Sequence, residues 1–160
     1  MKPPLLISIL LLFIACAATA FATANYEYKP GEYVTVTNGR SPDGRYAIAT
    51  HGEGDLGYDN WHVYLMDAQT GKKIGPLEEI RDPLDTAADA YVAKWSPDSS
   101  KVALNYRADR HVAVTIVYRI ANRRAYLVSG PTQTDWFNLS NKLRSARLRL
   151  LLTNRRTQVS

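Results

Sequence analysis

A Ser-Pro-Asp turn occurs twice in this chain, and its repetition constrains the fold more than any other feature of the sequence. The two copies, Ser41-Pro42-Asp43-Gly44 and Ser96-Pro97-Asp98-Ser99, stand 55 residues apart. In such a turn proline presets φ, aspartate bonds its own backbone, and glycine accepts a positive φ. Strand-like residues follow each copy, at 45–50 and at 101–106. Each motif therefore predicts a tight turn between two strands.

The segments around the two turns follow one order, and this order predicts a repeated β unit. Each unit reads as strand, Ser-Pro-Asp turn, strand, loop, strand, tight turn and strand, over about 33–80 and again over about 90–130. The strand region is expected to end at Gly130-Pro131. We therefore predict an all-β domain over 25–131 that consists of two blade-like, four-stranded antiparallel sheets.

The first unit resembles a blade of the TolB-like and WD40-like β-propellers. The resemblance rests on Ser41-Pro42-Asp43-Gly44-Arg45-Tyr46-Ala47-Ile48-Ala49, on Val63-Tyr64-Leu65-Met66-Asp67, and on Thr70-Gly71. The second unit resembles such a blade over 95–104, with Ser99 in place of the glycine. The resemblance implies that the turn joins the first two strands of a blade, and that the repeats present surfaces to partners.

The number of units departs from the propeller pattern. Propellers have about four to eight blades, whereas this chain has room for two. Two sheets cannot close a ring, so each must bury its apolar face in another way. The two sheets stack on each other, or they assemble with other copies of the chain, or the chain is a truncated propeller fragment.

Residues 1–24 predict a secretory signal peptide. Lys2 supplies the positive start, 5–15 is an apolar run, and small residues follow. Both Ala18-Thr19-Ala20 and Ala22-Thr23-Ala24 satisfy the pattern that signal peptidase accepts, so cleavage after the first or after the second motif remains open. The apolar run is short for a bilayer span, which needs about 20 residues. We therefore expect an exported protein, periplasmic or extracellular.

Cys16 gives the N-terminal segment a second interpretation. Phe13-Ile14-Ala15-Cys16 is a loose lipobox, so a lipoprotein acylated at Cys16 is an alternative, as is an uncleaved anchor. Cys16 is the only cysteine in the sequence. Cleavage downstream of it leaves no thiol for a disulfide or for thiol chemistry, and the domain must then be stable through core packing alone.

The positive charge of the chain is concentrated in 132–160, which we interpret as a basic amphipathic tail. The formal net charge is +5, but all 15 acidic residues lie at or before Asp135, whereas six basic residues follow it. Such a tail is weak evidence for nucleic acid, and we expect no nucleic-acid partner. Apolar spacing predicts a short C-terminal helix that caps the sheets or contacts an anionic membrane, although Arg147-Leu148-Arg149-Leu150 alternates like a strand. The apolar seam consists of Trp136, Leu139, Leu143, Ala146 and Leu150.

The segment 51–60 is rich in glycine and carboxylates, and it is the one segment that suggests a metal site. Glu53, Asp55 and Asp59 offer carboxylate oxygens on a flexible backbone, which is the chemistry that Ca²⁺ prefers. The segment does not match the EF-hand pattern, and a solvated hairpin loop is the competing interpretation. We name these three residues as candidate metal ligands.

The sequence predicts no catalytic residues and no bound cofactor. His51, His62 and His111 lack metal-ligand spacing, and no nucleophile motif or phosphate-binding glycine pattern occurs. The connection between the two units offers the alternative carboxylates for an enzyme, which are Asp82, Asp85 and Asp89.

These observations favour an exported, non-enzymatic β-repeat protein that acts as a binding or scaffold module. We expect its partner to be a protein, with self-association included. The alternatives are a small exported enzyme or calcium-binding protein that uses 53–60, and a truncated propeller fragment. Contact with a membrane surface would come from the tail or from a lipidated Cys16.

Overall fold

Eight β-strands form one curled, mixed sheet. The computed structural model describes residues 23–81 and 83–135, and over these residues the chain is all-β, which confirms that part of the predicted fold class. The strands are β1 (Val34–Arg40), β2 (Tyr46–Glu53), β3 (Asp59–Asp67), β4 (Lys73–Pro76), β5 (Val92–Trp95), β6 (Lys101–Asp109), β7 (Val112–Ala121) and β8 (Arg124–Asp135). Their order across the sheet is β4-β3-β2-β1-β5-β6-β7-β8.

Several features that the sequence predicts lie outside the described residues. These are the signal peptide as far as residue 22, including Cys16, together with Asp82 and the predicted C-terminal helix of the tail after residue 135. The described residues begin at Thr23, so they include Thr23 and Ala24 of the second predicted cleavage motif but not Ala22.

The two predicted four-stranded sheets are joined into one, which corrects the expectation of two separate sheets. β1 and β5 are parallel neighbours, with Thr37 opposite Val92, and the Thr37 amide donates to the Tyr91 carbonyl oxygen at 3.1 Å. All other neighbouring strands are antiparallel, so each half of the sheet is a meander of four strands. Joining gives backbone groups of β1 and β5 a partner that separate sheets would leave unpaired.

The two Ser-Pro-Asp turns have the same local structure. The serine hydroxyl donates to the aspartate carboxylate in each, at 2.7 Å from Ser41 to Asp43 and at 2.5 Å from Ser96 to Asp98. These bonds are the main reason that the pKa of both carboxyls lies below its usual range, at about 2 for Asp98. The fourth residue has a positive φ in both turns, 70° in the first and 59° in the second.

Ser99, which replaces the glycine of the first turn, ties the two turns together. Its Oγ accepts a hydrogen bond from the Asp43 amide at 3.1 Å, and the residue is buried. Trp95 Nε1 also donates to the Gly39 carbonyl oxygen at 3.1 Å, so a second bond joins the same parts of the two halves. A positive φ is unfavourable for serine, and the bond between the turns offsets that strain.

The main hydrophobic core draws on both halves of the sheet. Ile48 and Val63 from the first half and Leu104 and Ile116 from the second are fully buried in one cluster. Burial of an aliphatic side chain of this size contributes about 1.5–3 kcal/mol relative to exposure. The apolar faces of the two halves are therefore buried against each other within one chain.

β8 is longer than the sequence predicts. The expected end was Gly130-Pro131, but β8 continues to Asp135, with Thr132 opposite Thr115 and Gln133 opposite Val114 on β7. The ten-residue β7 provides the template for this extension. The edge of the sheet therefore ends in a strand of twelve residues.

Replacement of Ser99 tests the bond between the turns. We expect Ser99→Ala to lower the free energy of unfolding by about 1 kcal/mol, because the Asp43 amide loses its acceptor while the backbone strain stays. Ser99→Gly loses the same bond but relieves the positive φ, so it should be less destabilising than Ser99→Ala. Urea unfolding of both variants measures this, and a Ser99→Ala variant as stable as the wild type would contradict it.

Candidate functional site

The outer edge of β8 is the most exposed apolar feature of the described chain. Tyr126, Leu127 and Val128 are 39%, 44% and 53% exposed. Among the described strands only β7 pairs with β8, so the other edge of β8 has no neighbouring strand there. Natural sheets protect such edges with charges, proline, bulges or covering segments. We call this surface, Tyr126 to Thr134 along the outer side of β8, the β8 edge.

Apolar and aromatic side chains occupy both faces of the strand at the β8 edge. Leu127 lies opposite the buried Tyr118, on the face of the core. Tyr126 lies opposite Arg119, whose guanidinium is 5.1 Å from the tyrosine ring. The register shifts between these pairs and the next, so that Val128 is the extra residue of a β-bulge. A segment that paired with this edge would contact apolar groups on both of its faces.

A shallow groove lies where β4 approaches the start of β8. Its volume is about 270 Å³, and it ends near the Arg123 Nη1 to Asp67 Oδ2 ion pair of 2.9 Å. The Thr70 amide, followed by Arg123, lowers the pKa of Asp67 to about 2. The groove is lined by Leu65, Ile74, Gly75, Pro76, Arg123, Arg124 and Ala125. It is open and two arginines contribute to its lining, which suits an extended chain better than a small apolar ligand.

A second groove of about 460 Å³ lies beside the start of β3. Tyr58 is 47% exposed there, whereas Trp61 directs its Nε1 to the Thr86 carbonyl oxygen at 3.1 Å. The wall contains one carboxylate, one histidine and one arginine, namely Glu78, His62 and Arg81. Arg81 Nε donates to the Glu78 backbone carbonyl oxygen at 3.0 Å and not to its carboxylate. Within the described residues the three side chains form no hydrogen bond or ion pair with one another, so the groove does not present an acid–base pair.

The three candidate metal ligands do not form a metal site in the described residues. Glu53 ends β2 and accepts a bond from Asn60 Nδ2 at 3.0 Å, and Asp59 lies opposite it at the start of β3. Asp55 begins a 3-10 turn at Asp55–Gly57 instead of joining them. No three His, Cys, Asp or Glu side chains of the described chain come together in a way that holds a metal ion. The calcium hypothesis stays a prediction that the geometry does not favour.

Asp85, one of the alternative carboxylates, is buried in an ion pair. Arg107 donates to it twice, from Nε to Oδ2 at 3.0 Å and from Nη2 to Oδ1 at 2.9 Å, and the Ala24 amide donates to Oδ1 at 2.7 Å. The two side chains are 1% and 11% exposed. We call Asp85, Arg107 and Ala24 the Asp85 cluster. These bonds hold the carboxylate in a buried ion pair, which gives Asp85 a structural role.

Thr86 extends the Asp85 cluster into a buried polar network. Its carbonyl oxygen accepts bonds from Tyr28 Oη and Trp61 Nε1, and its Oγ1 donates to the Leu56 carbonyl oxygen at 2.7 Å. Among the described residues no buried side-chain N or O atom lacks a hydrogen-bond partner. The network connects the N-terminal segment, the loop before β3 and the connection between the two halves.

The remaining candidates are dispersed. Asp89 is exposed in a 3-10 turn at Ala88–Ala90. His51 is buried, with its ring stacked on Tyr33 at 4.7 Å and its Nδ1 2.6 Å from the Glu32 carbonyl oxygen. The sequence analysis did not single out the β8 edge. One signal was present, because Tyr126-Leu127-Val128 is an unbroken apolar run where a half-exposed edge strand should alternate.

Comparison with known proteins identifies no relative. No family model, no curated protein and no solved structure matches this chain. Within the described residues, no helix is long and apolar enough to cross a membrane. Any function must therefore be argued from the surface and the contacts of the chain itself.

The Asp85 cluster makes a direct prediction about stability. Asp85→Asn keeps the shape of the side chain but removes the buried negative charge that accepts bonds from Arg107 and Ala24, so we expect a loss of about 3–5 kcal/mol in the free energy of unfolding. Arg123→Gln is the control, since it breaks an ion pair whose arginine is 63% exposed and should change stability little. Urea unfolding followed by circular dichroism measures both. Equal midpoints for Asp85→Asn and the wild type would contradict a structural role for this pair.

Proposed function

We propose that the protein is an exported, non-enzymatic β-repeat protein that acts as a binding module, and that a protein partner adds an extended segment to the β8 edge. The observation that carries the proposal is the twelve-residue edge strand with three adjacent exposed apolar residues. In strand addition the main chain supplies hydrogen bonds along the edge, and alternate side chains supply specificity.

The charge around the β8 edge favours an acidic, apolar partner segment. Arg119 and Arg124 are exposed, so basic groups lie beside the apolar run at Tyr126. Opposite charges across an interface raise the rate of association and fix its register. The partner segment therefore carries apolar residues opposite 126–128 and acidic residues toward the start of β8.

The blade-like architecture and the cellular location of the protein are part of the same proposal. The two halves are two blade-like units, supported by their identical turn bonds and their four-stranded meanders. Export to the periplasm or the extracellular space is supported by the sequence of 1–24. A lipidated Cys16 and membrane contact by the tail remain secondary proposals, since they concern residues outside the described chain.

The enzyme alternative receives no support from a specific contact. The Asp85 carboxylate is occupied by three donors, and Glu53 is bonded to Asn60 in the loop proposed for catalysis. The fragment alternative also predicts an exposed apolar edge, but it predicts no selective ligand for that edge. A binding experiment therefore separates the binding module from the fragment.

Selection from a displayed library of random ten-residue peptides tests the proposal. The mature wild-type chain should select extended peptides with apolar and acidic residues. Val128→Lys should weaken their binding at least tenfold, because it places a charge in the apolar contact of the β8 edge. The matched control is Val92→Lys, since Val92 is also a strand valine and is 40% exposed, but lies on β5 in the middle of the sheet.

Two results would contradict the proposal. The first is that no peptide is selected by the wild-type chain although its circular dichroism shows a folded β protein. The second is that the selected peptides bind the Val128→Lys and Val92→Lys variants as well as the wild type. Equal melting temperatures of the two variants exclude unfolding as the reason for lost binding.

A further inference from the structure

Ala24 is the last residue of the second predicted cleavage motif, and the fold uses its backbone. Its amide donates to Asp85 Oδ1 at 2.7 Å. Its carbonyl oxygen accepts bonds from the Thr86 and Ala87 amides, both at 3.0 Å. Asp85 and Thr86 are 1% and 0% exposed, so these bonds connect the half-buried Ala24 to buried residues. One residue thus supplies three hydrogen bonds to a buried connection.

Cleavage after Ala24 would remove all three bonds. The carboxylate of Asp85 would lose one of its three donors, and the amides of the buried residues Thr86 and Ala87 would lose their acceptor. Buried backbone groups without a partner are rare in native proteins, because no hydrogen bond compensates for the free energy lost when they leave water. A chain that began at Asn25 would therefore fold with a defect in its buried network.

Cleavage after Ala20 leaves the network intact. The chain would then begin at Phe21, three residues before Ala24, and every described contact of Ala24 would remain. The residues that follow continue the same contact, since the Tyr26 amide donates to Thr86 Oγ1 at 3.0 Å and Tyr28 Oη donates to the Thr86 carbonyl oxygen. The segment 24–28 is thus part of the folded domain and not part of the leader.

We infer that signal peptidase cleaves this chain after Ala20, so that the exported domain begins at Phe21 and keeps Ala24 as part of its buried network. The inference rests on the proposed export of the protein. Both motifs fit the sequence pattern equally well, but only cleavage at the first motif keeps the Ala24 contacts.

The test expresses the full-length chain in a bacterial host and measures the N-terminus of the processed protein by intact mass and by N-terminal sequencing. The expected N-terminus is Phe21. Ala18→Asp places a charge in the first motif and should reduce the fraction of chain processed to Phe21 at least tenfold. Ala22→Asp makes the same change in the second motif and should leave the Phe21 terminus unchanged.

Each other outcome overturns the inference in a recognisable way. An Asn25 terminus would show that the second motif is used and would leave the export proposal intact. A lipid-modified Cys16 terminus would show a lipoprotein. An unprocessed chain that still begins at Met1 would overturn the cleavage site. Its recovery from the membrane with the domain outside the cytoplasm would show an uncleaved anchor, and its recovery from the cytoplasm would overturn the export proposal as well.

A stability comparison tests the physical reason independently of the peptidase. A chain that begins at Asn25 should melt about 4 °C or more below a chain that begins at Phe21, since it lacks the three Ala24 bonds. The control is a chain that begins at Ala24 and keeps the alanine, which should melt close to the Phe21 form. Equal melting temperatures for the Asn25 and Phe21 forms would contradict the reasoning from Ala24.

Discussion

The burial of two apolar faces against each other is the interaction on which this fold depends. Each half of the sheet is a meander with one strongly apolar face, and Ile48 of the first half and Leu104 of the second are fully buried in the same cluster. The described residues contain no cysteine, so no disulfide bond within them contributes to holding the two halves together. Because a four-stranded meander cannot cover its own apolar face, neither half is expected to be stable alone.

Polar contacts align the halves that the core holds together. Ser99 joins the two turns at one end of the parallel pair, and the Asp85 cluster joins the connection to β6 through Arg107 and to the N-terminal segment through Ala24. None of these contacts involves β8. Among the described residues no strand pairs with the outer side of β8, and β4 lies close only to the beginning of β8. The proposed interaction surface is this outer side.

Local features of the fold were predictable from the sequence, and long-range features were not. Turn residues such as Pro42 and Pro97 restrict the backbone of their immediate neighbours. Both turns, and the strands before and after them, were therefore predictable from the sequence. The pairing of β1 with β5 depends on residues 55 positions apart, and no local pattern encodes it.

The role of Asp85 was missed for the same reason, since its partners Ala24 and Arg107 are distant in sequence. The metal hypothesis relied on composition alone. Asp55 lies in a 3-10 turn, and no three such side chains of the described residues come together in a way that holds a metal ion.

Native-state hydrogen exchange, measured by mass spectrometry, tests most directly whether the two halves form one folding unit. Val102 belongs to the second half and is fully buried in the shared core, so Val102→Ala should weaken that core. If the core is shared, the variant should lose amide protection by a similar factor in β2 and β3 of the first half and in β6 and β7 of the second. Loss of protection confined to β5–β8, with β1–β4 unchanged, would show that the halves fold independently and would contradict this account.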